Sequence, residues 1–217
     1  MDRIQLRSAR LVAWVDLTLF DFGLLRAPVN WPMNVGLGVW RSNQPGPVRL
    51  KRLARREFKT VLNLRGANTG SAYCLEHFYC DRLGLQLVDF KMSSRRPPKK
   101  EQLVRLWSLF DQLKTPVLVH CKSGADRAGL VSALYQVHQG VPIQEARRQL
   151  SFRYLHIKHA STGILDMFLD AFQAAQSTSG IEFLDWVANE YDPQRMAQAF
   201  KARGPGTFLV DKVLRRE

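Results

Sequence analysis

The chain has little cysteine: 217 residues include only Cys74, Cys80 and Cys121. An odd number of cysteines without disulfide-like spacing argues against a disulfide-stapled secreted domain, so we expect a reducing, cytoplasmic compartment. Cys74, His77 and Cys80 are three residues apart, and such steps turn successive ligands away from one another on a helix. No fourth ligand is evident in the sequence, and we expect neither a metal ion nor another cofactor.

Long hydrophobic runs are also missing. The most apolar stretch, Leu11–Leu25, has fifteen residues and contains Asp16 and Asp21, whereas a membrane-spanning helix needs about 20 apolar residues. No small-residue cleavage site follows it, which argues against a secretory signal. We therefore predict an amphipathic helix that packs on the rest of the protein. Peripheral docking on an anionic membrane is the alternative, and three basic residues would assist it: Arg3, Arg7 and Arg10.

Acidic residues are outnumbered, with 19 aspartates and glutamates against 32 lysines and arginines, so the net charge is +13. This excess indicates an anionic partner, such as a phosphorylated substrate, a membrane surface or a nucleic acid, or else a generally basic surface. The sequence has no basic and aromatic array that would indicate specific nucleic-acid binding. It has no internal repeat or low-complexity tract, and it leaves the oligomeric state open.

Strand-like and helix-like patterns alternate along the chain, which predicts an α/β fold. We expect a central, mostly parallel sheet of four to five strands with helices on both faces. The predicted domains are an N-terminal helical extension and connector (1–36), a central domain (37–178), and a C-terminal helical extension with a basic tail (179–217). Residues 27–38 are predicted to be an irregular connector. The predicted strands are 39–41, 59–64, 85–90 and 116–120, and the main predicted helices are 3–26, 72–83, 98–113, 127–139 and 163–176.

The most informative segment is residues 117–129, Val-Leu-Val-His-Cys-Lys-Ser-Gly-Ala-Asp-Arg-Ala-Gly. Its apolar run predicts a buried strand that delivers Cys121, and a helix is predicted to begin at Arg127. The loop between them would direct several backbone N–H groups inward at a helix N-terminus, where Arg127 adds a planar bidentate donor. Such a cradle fits a tetrahedral dianion such as phosphate, and its field stabilises a thiolate nucleophile at Cys121 near neutral pH.

Two glycines make this pattern more specific than the spacing of a cysteine and an arginine. Gly124 stands where the backbone must approach the ligand closely, and Gly129 stands where the helix can pack against the strand. The competing interpretation is an ordinary buried cysteine in a strand–helix turn. That interpretation accounts for neither glycine.

The segment His120–Gly129 resembles the His-Cys-x5-Arg signature loop of cysteine-dependent protein tyrosine phosphatases. It looks most like the compact dual-specificity and lipid-phosphatase branch, bacterial members included. The likeness covers roughly residues 37–175, where Trp40–Pro45 is similar to the opening strand of that branch and Val61–Arg65 to its second strand. The resemblance implies a phosphatase-like α/β fold that works without a cofactor.

Carried over residue by residue, the resemblance makes Cys121 the nucleophile, Arg127 the phosphate clamp and His120 the residue that orders the loop. The cradle would be the backbone of Lys122, Ser123, Gly124, Ala125, Asp126 and Arg127. The family usually has serine or threonine directly after the arginine, where the hydroxyl helps the thiolate to leave in the second step. This chain has Ala128 there, so breakdown of a phosphocysteine would be slower, or another donor such as Ser123 would serve.

Two aspartates are candidates for the acid that protonates the leaving group. Asp89 ends a predicted strand and precedes Cys121 by 32 residues, the separation that the resemblance implies for this acid. Asp126 is the alternative, because some inositide phosphatases also have aspartate before the signature arginine. A carboxylate at that position would repel a phosphate dianion unless it pointed outward or paired with Lys122 or another nearby base.

The residues and the resemblance together predict a phosphatase that hydrolyses phosphomonoesters through a phosphocysteine intermediate. The substrate would be a phosphotyrosine or phosphoserine/threonine protein or a phosphoinositide. Substrates with several negative charges are favoured by basic residues near the expected mouth, namely Arg95, Arg96, Lys99, Lys100 and Lys122. The alternative is a non-catalytic phosphate-binding pseudophosphatase module, which would need no acid at position 89. His156 and His159 are expected to be structural rather than catalytic.

Overall fold

A computed structural model describes residues 32–202, which divide into two compact units. The sheet unit comprises residues 32–91 and 114–124, and the helical unit comprises residues 92–113 and 125–202. The predicted N-terminal helix and the basic tail lie outside the described residues. Between residues 32 and 202, no helix is both long and apolar enough to cross a membrane.

The sheet unit contains five short strands: β1 (Met33–Gly36), β2 (Val39–Ser42), β3 (Thr60–Asn63), β4 (Gln86–Asp89) and β5 (Val117–His120). Their order in the sheet is β1-β2-β5-β3-β4. The β1–β2 pair is antiparallel, and the other three pairs are parallel. All residues of β3 and β5 are buried, as expected for apolar inner strands of a parallel sheet. The predicted α/β class with a mostly parallel sheet is confirmed.

The prediction of an irregular connector over residues 27–38 is wrong for Met33–Gly36, which forms β1. This strand pairs with β2 across a turn in which Gly36, Leu37 and Gly38 all have positive φ. The two glycines permit this backbone path at little steric cost. The strand exists because β2 supplies its hydrogen bonds, and four residues of mixed burial do not reveal such pairing by their own pattern.

Strand register brings three polar residues to the same edge of the sheet. Asn63 on β3 is level with Asp89 on β4 and with His120 on β5. Cys121 follows His120 directly, so it leaves the sheet at this edge. Parallel sheets commonly bind ligands at the carboxyl ends of their strands, where the connecting loops converge.

Two helices complete the sheet unit, α1 (Pro47–Arg55) and α2 (Ser71–Leu83). Pro47 opens α1, where its missing N–H has no cost and its fixed φ suits a helix. Leu50 and Leu53 are three residues apart and form the buried face of this helix. They pack in one cluster with residues from α2, the strands and the loops, namely Phe58, Val61, Cys80, Leu85 and Leu118.

The helical unit contains α3 (Lys100–Gln112), α4 (Arg127–His138), α5 (Ile143–Ala146), α6 (Ile164–Ser179), α7 (Phe183–Asn189) and α8 (Pro193–Ala202). Three 3₁₀ turns lie between α5 and α6, namely Arg147–Gln149, Phe152–Tyr154 and Ser161–Gly163. The described part of the C-terminal extension contains α7 and α8, and Pro193 stands at the first position of α8.

Aromatic side chains fasten the C-terminal helices to the rest of the helical unit. The ring of Phe183 on α7 stacks on Trp107 of α3 with centroids 4.3 Å apart. The hydroxyl of buried Tyr191 donates to the carbonyl of Pro98 over 2.7 Å. The segment that precedes α3 is therefore held in place by residues near the end of the chain.

Replacing Leu50 by alanine is expected to lower the free energy of unfolding by about 2–5 kcal/mol, because it leaves a cavity in the core of the sheet unit. Val48 is 60% exposed on the same helix, so Val48→Ala is the matched control, with an expected change of at most about 0.5 kcal/mol. Urea unfolding measures both. Equal losses in the two variants would contradict the assignment of the buried face of α1.

Candidate active site

The cysteine of the signature pattern lies at the end of the central strand. Cys121 directly follows β5 and is only 1% exposed. The backbone N–H of Gly124 donates to its Sγ over 3.2 Å. A backbone amide turned toward a sulfur stabilises negative charge on it. This part of the loop therefore suits a thiolate.

Residues on β2 and just after it support the signature loop through hydrogen bonds. The guanidinium of Arg41 on β2 is fully buried, and its Nη2 donates to the carbonyl of Gly124 over 2.6 Å. The N–H of Gln44 donates to the carbonyl of Lys122 over 3.3 Å. Sequence reasoning assigned no role to Arg41. The feature of the sequence that could have indicated a role is the position of Arg41 in a predicted strand, within the segment that resembles the opening strand of the family.

The close packing of the signature loop against the residues after β2 requires glycine at position 124. Its φ of +78° lies in the left-handed region, and an added Cβ would stand 2.6 Å from the carbonyl carbon of Ser42 and 2.7 Å from the nitrogen of Asn43. Both contacts are far closer than a real Cβ tolerates. The close backbone approach that the glycine permits is therefore made to residues 42 and 43 of the chain itself.

A buried acidic side chain lies beside His120. The Nε2 atom of His120 is 2.8 Å from Oε1 of Glu76 on α2, and neither side chain is exposed. Within residues 32–202, neither Glu76 oxygen has a partner in good hydrogen-bond geometry, so the contact is one of proximity. Buried carboxylates require such a neighbour. Sequence reasoning missed Glu76, whose only signal was a glutamate at a core position of a predicted helix.

The carboxylate of Asp89 accepts two hydrogen bonds at the sheet edge. Its Oδ1 takes the amide N–H of Asn63 over 2.8 Å, and its Oδ2 takes the hydroxyl of Tyr73 over 2.7 Å. The hydrogen bond to Asp89 is the main cause that raises the pKa of Tyr73 to about 12. Asp89 is exposed and lies at the edge where the sequence analysis expects it.

The remaining loop residues belong to the helical unit. Ala125 and Asp126 are buried, and Arg127 is half-buried where it opens α4. The carbonyl of Asp126 accepts the N–H of Leu130 over 2.9 Å as α4 begins. Ala128, the position at which the chain departs from the family pattern, is fully buried in the first turn of this helix.

His156 is a base that pairs with Asp126. Oδ1 of Asp126 lies 2.7 Å from Nδ1 of His156, and Nε2 of the same ring lies 2.6 Å from Oδ2 of Asp166 on α6. Burial lowers the pKa of His156, but the hydrogen bonds to the two aspartates outweigh it and raise the pKa to about 9. The imidazole is therefore charged at neutral pH.

Residues 32–162 match a family model described as "DSP-PTPase phosphatase fused to NAD+ Kinase". The chain belongs to this family. It is a member of the cysteine-dependent protein tyrosine phosphatase superfamily in its compact, bacterial-like branch, and the resemblance noted in the sequence is confirmed. It is thus a phosphatase of the DSP/PTP type. A search of curated protein sequences gave no match.

Solved phosphatase structures share the fold of this phosphatase at low sequence identity. TpbA from P. aeruginosa is 19% identical with a TM-score of 0.50, covering 70% of this chain and 99% of its own. The core catalytic domain of the PP-IP phosphatase SIW14 from S. cerevisiae is 17% identical with a TM-score of 0.51, covering 69% and 92%. A mutant form of Tk-PTP is 19% identical with a TM-score of 0.51, covering 68% and 97%. At these identities the likeness shows the fold.

Gly124→Ala is expected to lower the free energy of unfolding by about 2–5 kcal/mol, because a left-handed backbone strains alanine and the new Cβ collides with backbone atoms. Gly140→Ala is the matched control. Its φ is +83°, but no described atom lies within 4 Å of the added Cβ, so only the backbone strain of about 1–2 kcal/mol is expected. Urea unfolding compares them, and equal losses would contradict the contact of Gly124 with residues 42 and 43.

Proposed function

We propose that this phosphatase hydrolyses phosphomonoesters through a phosphocysteine intermediate formed on Cys121. The observation that supports the proposal most directly is the hydrogen bond from the Gly124 amide to the buried Sγ of Cys121. An amide turned toward that sulfur is what a phosphate cradle built around a thiolate requires. Membership of the phosphatase family supports the same chemistry.

In the first step, the thiolate of Cys121 attacks phosphorus, an S–P bond forms, and the bond from phosphorus to the leaving oxygen breaks. The backbone amides of residues 122–127 and the guanidinium of Arg127 stabilise charge on the non-bridging oxygens. The leaving oxygen takes a proton from Asp89. In the second step, water attacks phosphorus and gives a proton to the same carboxylate, and the S–P bond breaks to release inorganic phosphate.

Asp89 is the proposed proton donor in preference to Asp126. The carboxylate of Asp126 is buried and paired with the imidazolium of His156, whereas Asp89 is exposed at the sheet edge. Asn63 and Tyr73 occupy both oxygens of Asp89. These two hydrogen bonds fix the orientation of the carboxyl group and leave further acceptor positions on both oxygens.

Four of the basic residues that the sequence analysis expects near the mouth line a groove within the helical unit, to which residues 120–127 and Asp89 do not contribute. The groove encloses about 1190 Å³, and five basic residues line it against three acidic ones. We propose phosphotyrosine or phosphoserine/threonine proteins and phosphoinositides as the substrate classes of this phosphatase. Phosphate release from a panel of phosphopeptides and phosphoinositides, with and without a chelator, ranks them. The basic residues are Arg95, Arg96, Lys99, Lys100 and Lys201.

Cys121→Ser is expected to lower kcat for an aryl phosphate on the order of 10³-fold or more, since it removes the nucleophile. If hydrolysis of the phosphocysteine limits turnover, the wild-type enzyme should release a rapid burst of the phenol when enzyme and substrate are mixed. The amount of phenol in the burst should equal the amount of enzyme. Cys74→Ser makes the same change at an exposed cysteine and should leave kcat within about twofold of wild type. A Cys121→Ser enzyme as fast as wild type overturns the proposal, and phosphate binding without turnover favours the pseudophosphatase module.

Asp89→Asn is expected to slow hydrolysis of an alkyl phosphate by roughly 10²–10⁴-fold and that of 4-nitrophenyl phosphate much less, because a good leaving group needs no proton. Asp126→Asn keeps the buried site filled and should show no such dependence on the leaving group. The kcat values of both variants on the two substrates decide between the acids. The reverse pattern would assign the proton to Asp126.

A further inference from the structure

Three buried side chains form a continuous Asp126–His156–Asp166 triad beside the signature arginine. Asp126 directly precedes α4, His156 follows the turn Phe152–Tyr154, and Asp166 lies in the first turn of α6. The ring of His156 lies within 2.7 Å of both carboxylates, one at each nitrogen. The exposed fraction of the His156 side chain is 1%, and that of each aspartate is 8%.

The geometry of the triad fits a charged histidine. Each ring nitrogen faces a carboxylate oxygen, and a neutral imidazole carries only one proton, so with both aspartates ionised only the imidazolium donates to both. Among the described residues, Asp126 and Asp166 are the charged groups that act on the ring. With the ring protonated the triad carries one net negative charge, and without that proton it carries two.

The backbone around His156 is fixed as closely as its ring. Leu155 has a φ of +61°, a conformation that leucine rarely adopts and that the surrounding contacts must maintain. The N–H of His156 donates to the carbonyl of Ser151 over 3.2 Å. Further along, Gly163 packs so tightly that an added Cβ would lie 1.9 Å from the carbonyl oxygen of Lys158. Strain held in place beside a buried polar group points to a functional position.

We propose that His156 is a positioning residue for the phosphate cradle. Its imidazolium neutralises Asp126 and fixes the end of the signature loop at which Arg127 stands, while Asp166 anchors the ring from the other side. The inference rests on the proposed phosphatase function. An unpaired carboxylate at position 126 would repel a dianion held by the same loop, and the charged ring reduces that repulsion by lowering the negative charge of the triad from two to one.

A double-mutant cycle on phosphate binding tests this role. The readout is inhibition by inorganic phosphate at about pH 7.5, where phosphate is mainly a dianion. His156→Gln should weaken phosphate binding about tenfold, with KM rising in parallel and kcat changing less. In the Asp126→Asn/His156→Gln double variant, affinity should return to within about twofold of Asp126→Asn alone.

The matched control is His159→Gln, the same change at an exposed histidine three residues further along. It should leave phosphate affinity unchanged. A double variant that binds phosphate as weakly as His156→Gln would overturn the proposal, because the histidine would then serve only to hold the structure together.

Nitrogen NMR of the imidazole rings tests the charge of His156 in the wild-type protein. This measurement does not depend on whether the substituted proteins fold. Both ring nitrogens of His156, assigned through bonds to its backbone, should stay protonated from neutral pH up to about pH 9, since the hydrogen bonds to Asp126 and Asp166 raise the pKa to that value. A ring that is neutral at pH 7 overturns the proposal.

The pH dependence of unfolding gives an independent measurement. Because the pKa of His156 is raised from 6.5 to about 9, the stabilisation is complete below pH 6.5 and is lost as the pH rises through about 9. The urea midpoint of wild type should fall more across this window than that of His156→Gln. An equal fall in both would contradict the charged triad.

These outcomes separate the two proposals. A wild type that hydrolyses no phosphomonoester overturns the proposed function, while the nitrogen shifts and the unfolding data still report on His156. An active wild type whose phosphate affinity shows no coupling between positions 126 and 156 overturns the positioning role alone.

Discussion

The hydrogen bond from the guanidinium of Arg41 to the carbonyl of Gly124 is the contact on which the cysteine end of the site depends. A fully buried cation is costly unless its donors are used, so Arg41 has a strong physical reason to keep this partner. Its bond holds the loop against residues 42 and 43, and the left-handed backbone of Gly124 makes that contact possible. The N–H of the same glycine is then turned to Sγ of Cys121.

Buried carboxylates lie at both ends of the signature loop, and each has a histidine beside it. At the cysteine end, Glu76 lies against His120 within the sheet unit. At the arginine end, Asp126 pairs with His156, whose ring also contacts Asp166 within the helical unit. An anion site next to uncompensated carboxylates would be self-defeating, because like charges repel strongly away from water. At the arginine end of the loop, the charged ring of His156 supplies this compensation.

Those parts of the fold that follow from local patterns could be predicted from the sequence. β3 and β5 contain the apolar runs Val61–Leu62 and Val117–Val119, and the predicted helices over 72–83 and 127–139 correspond to α2 and α4 to within a residue at each end. The strand β1 could not be predicted, since its pairing with β2 is what makes it a strand. The roles of Glu76 and Arg41 could not be predicted either, because the sequence around a buried charged residue does not indicate which distant group will contact it.

The class of chemistry follows from one short stretch of sequence. Cys121 and Arg127 are separated by five residues that include Gly124, and this covalent spacing limits the geometry. Tertiary structure decided which side chains support that stretch. Arg41 is 83 residues from Gly124, and His156 is 30 residues from Asp126. Such partners meet only when separate elements pack together, and burial then makes each hydrogen bond far more consequential than it would be in water.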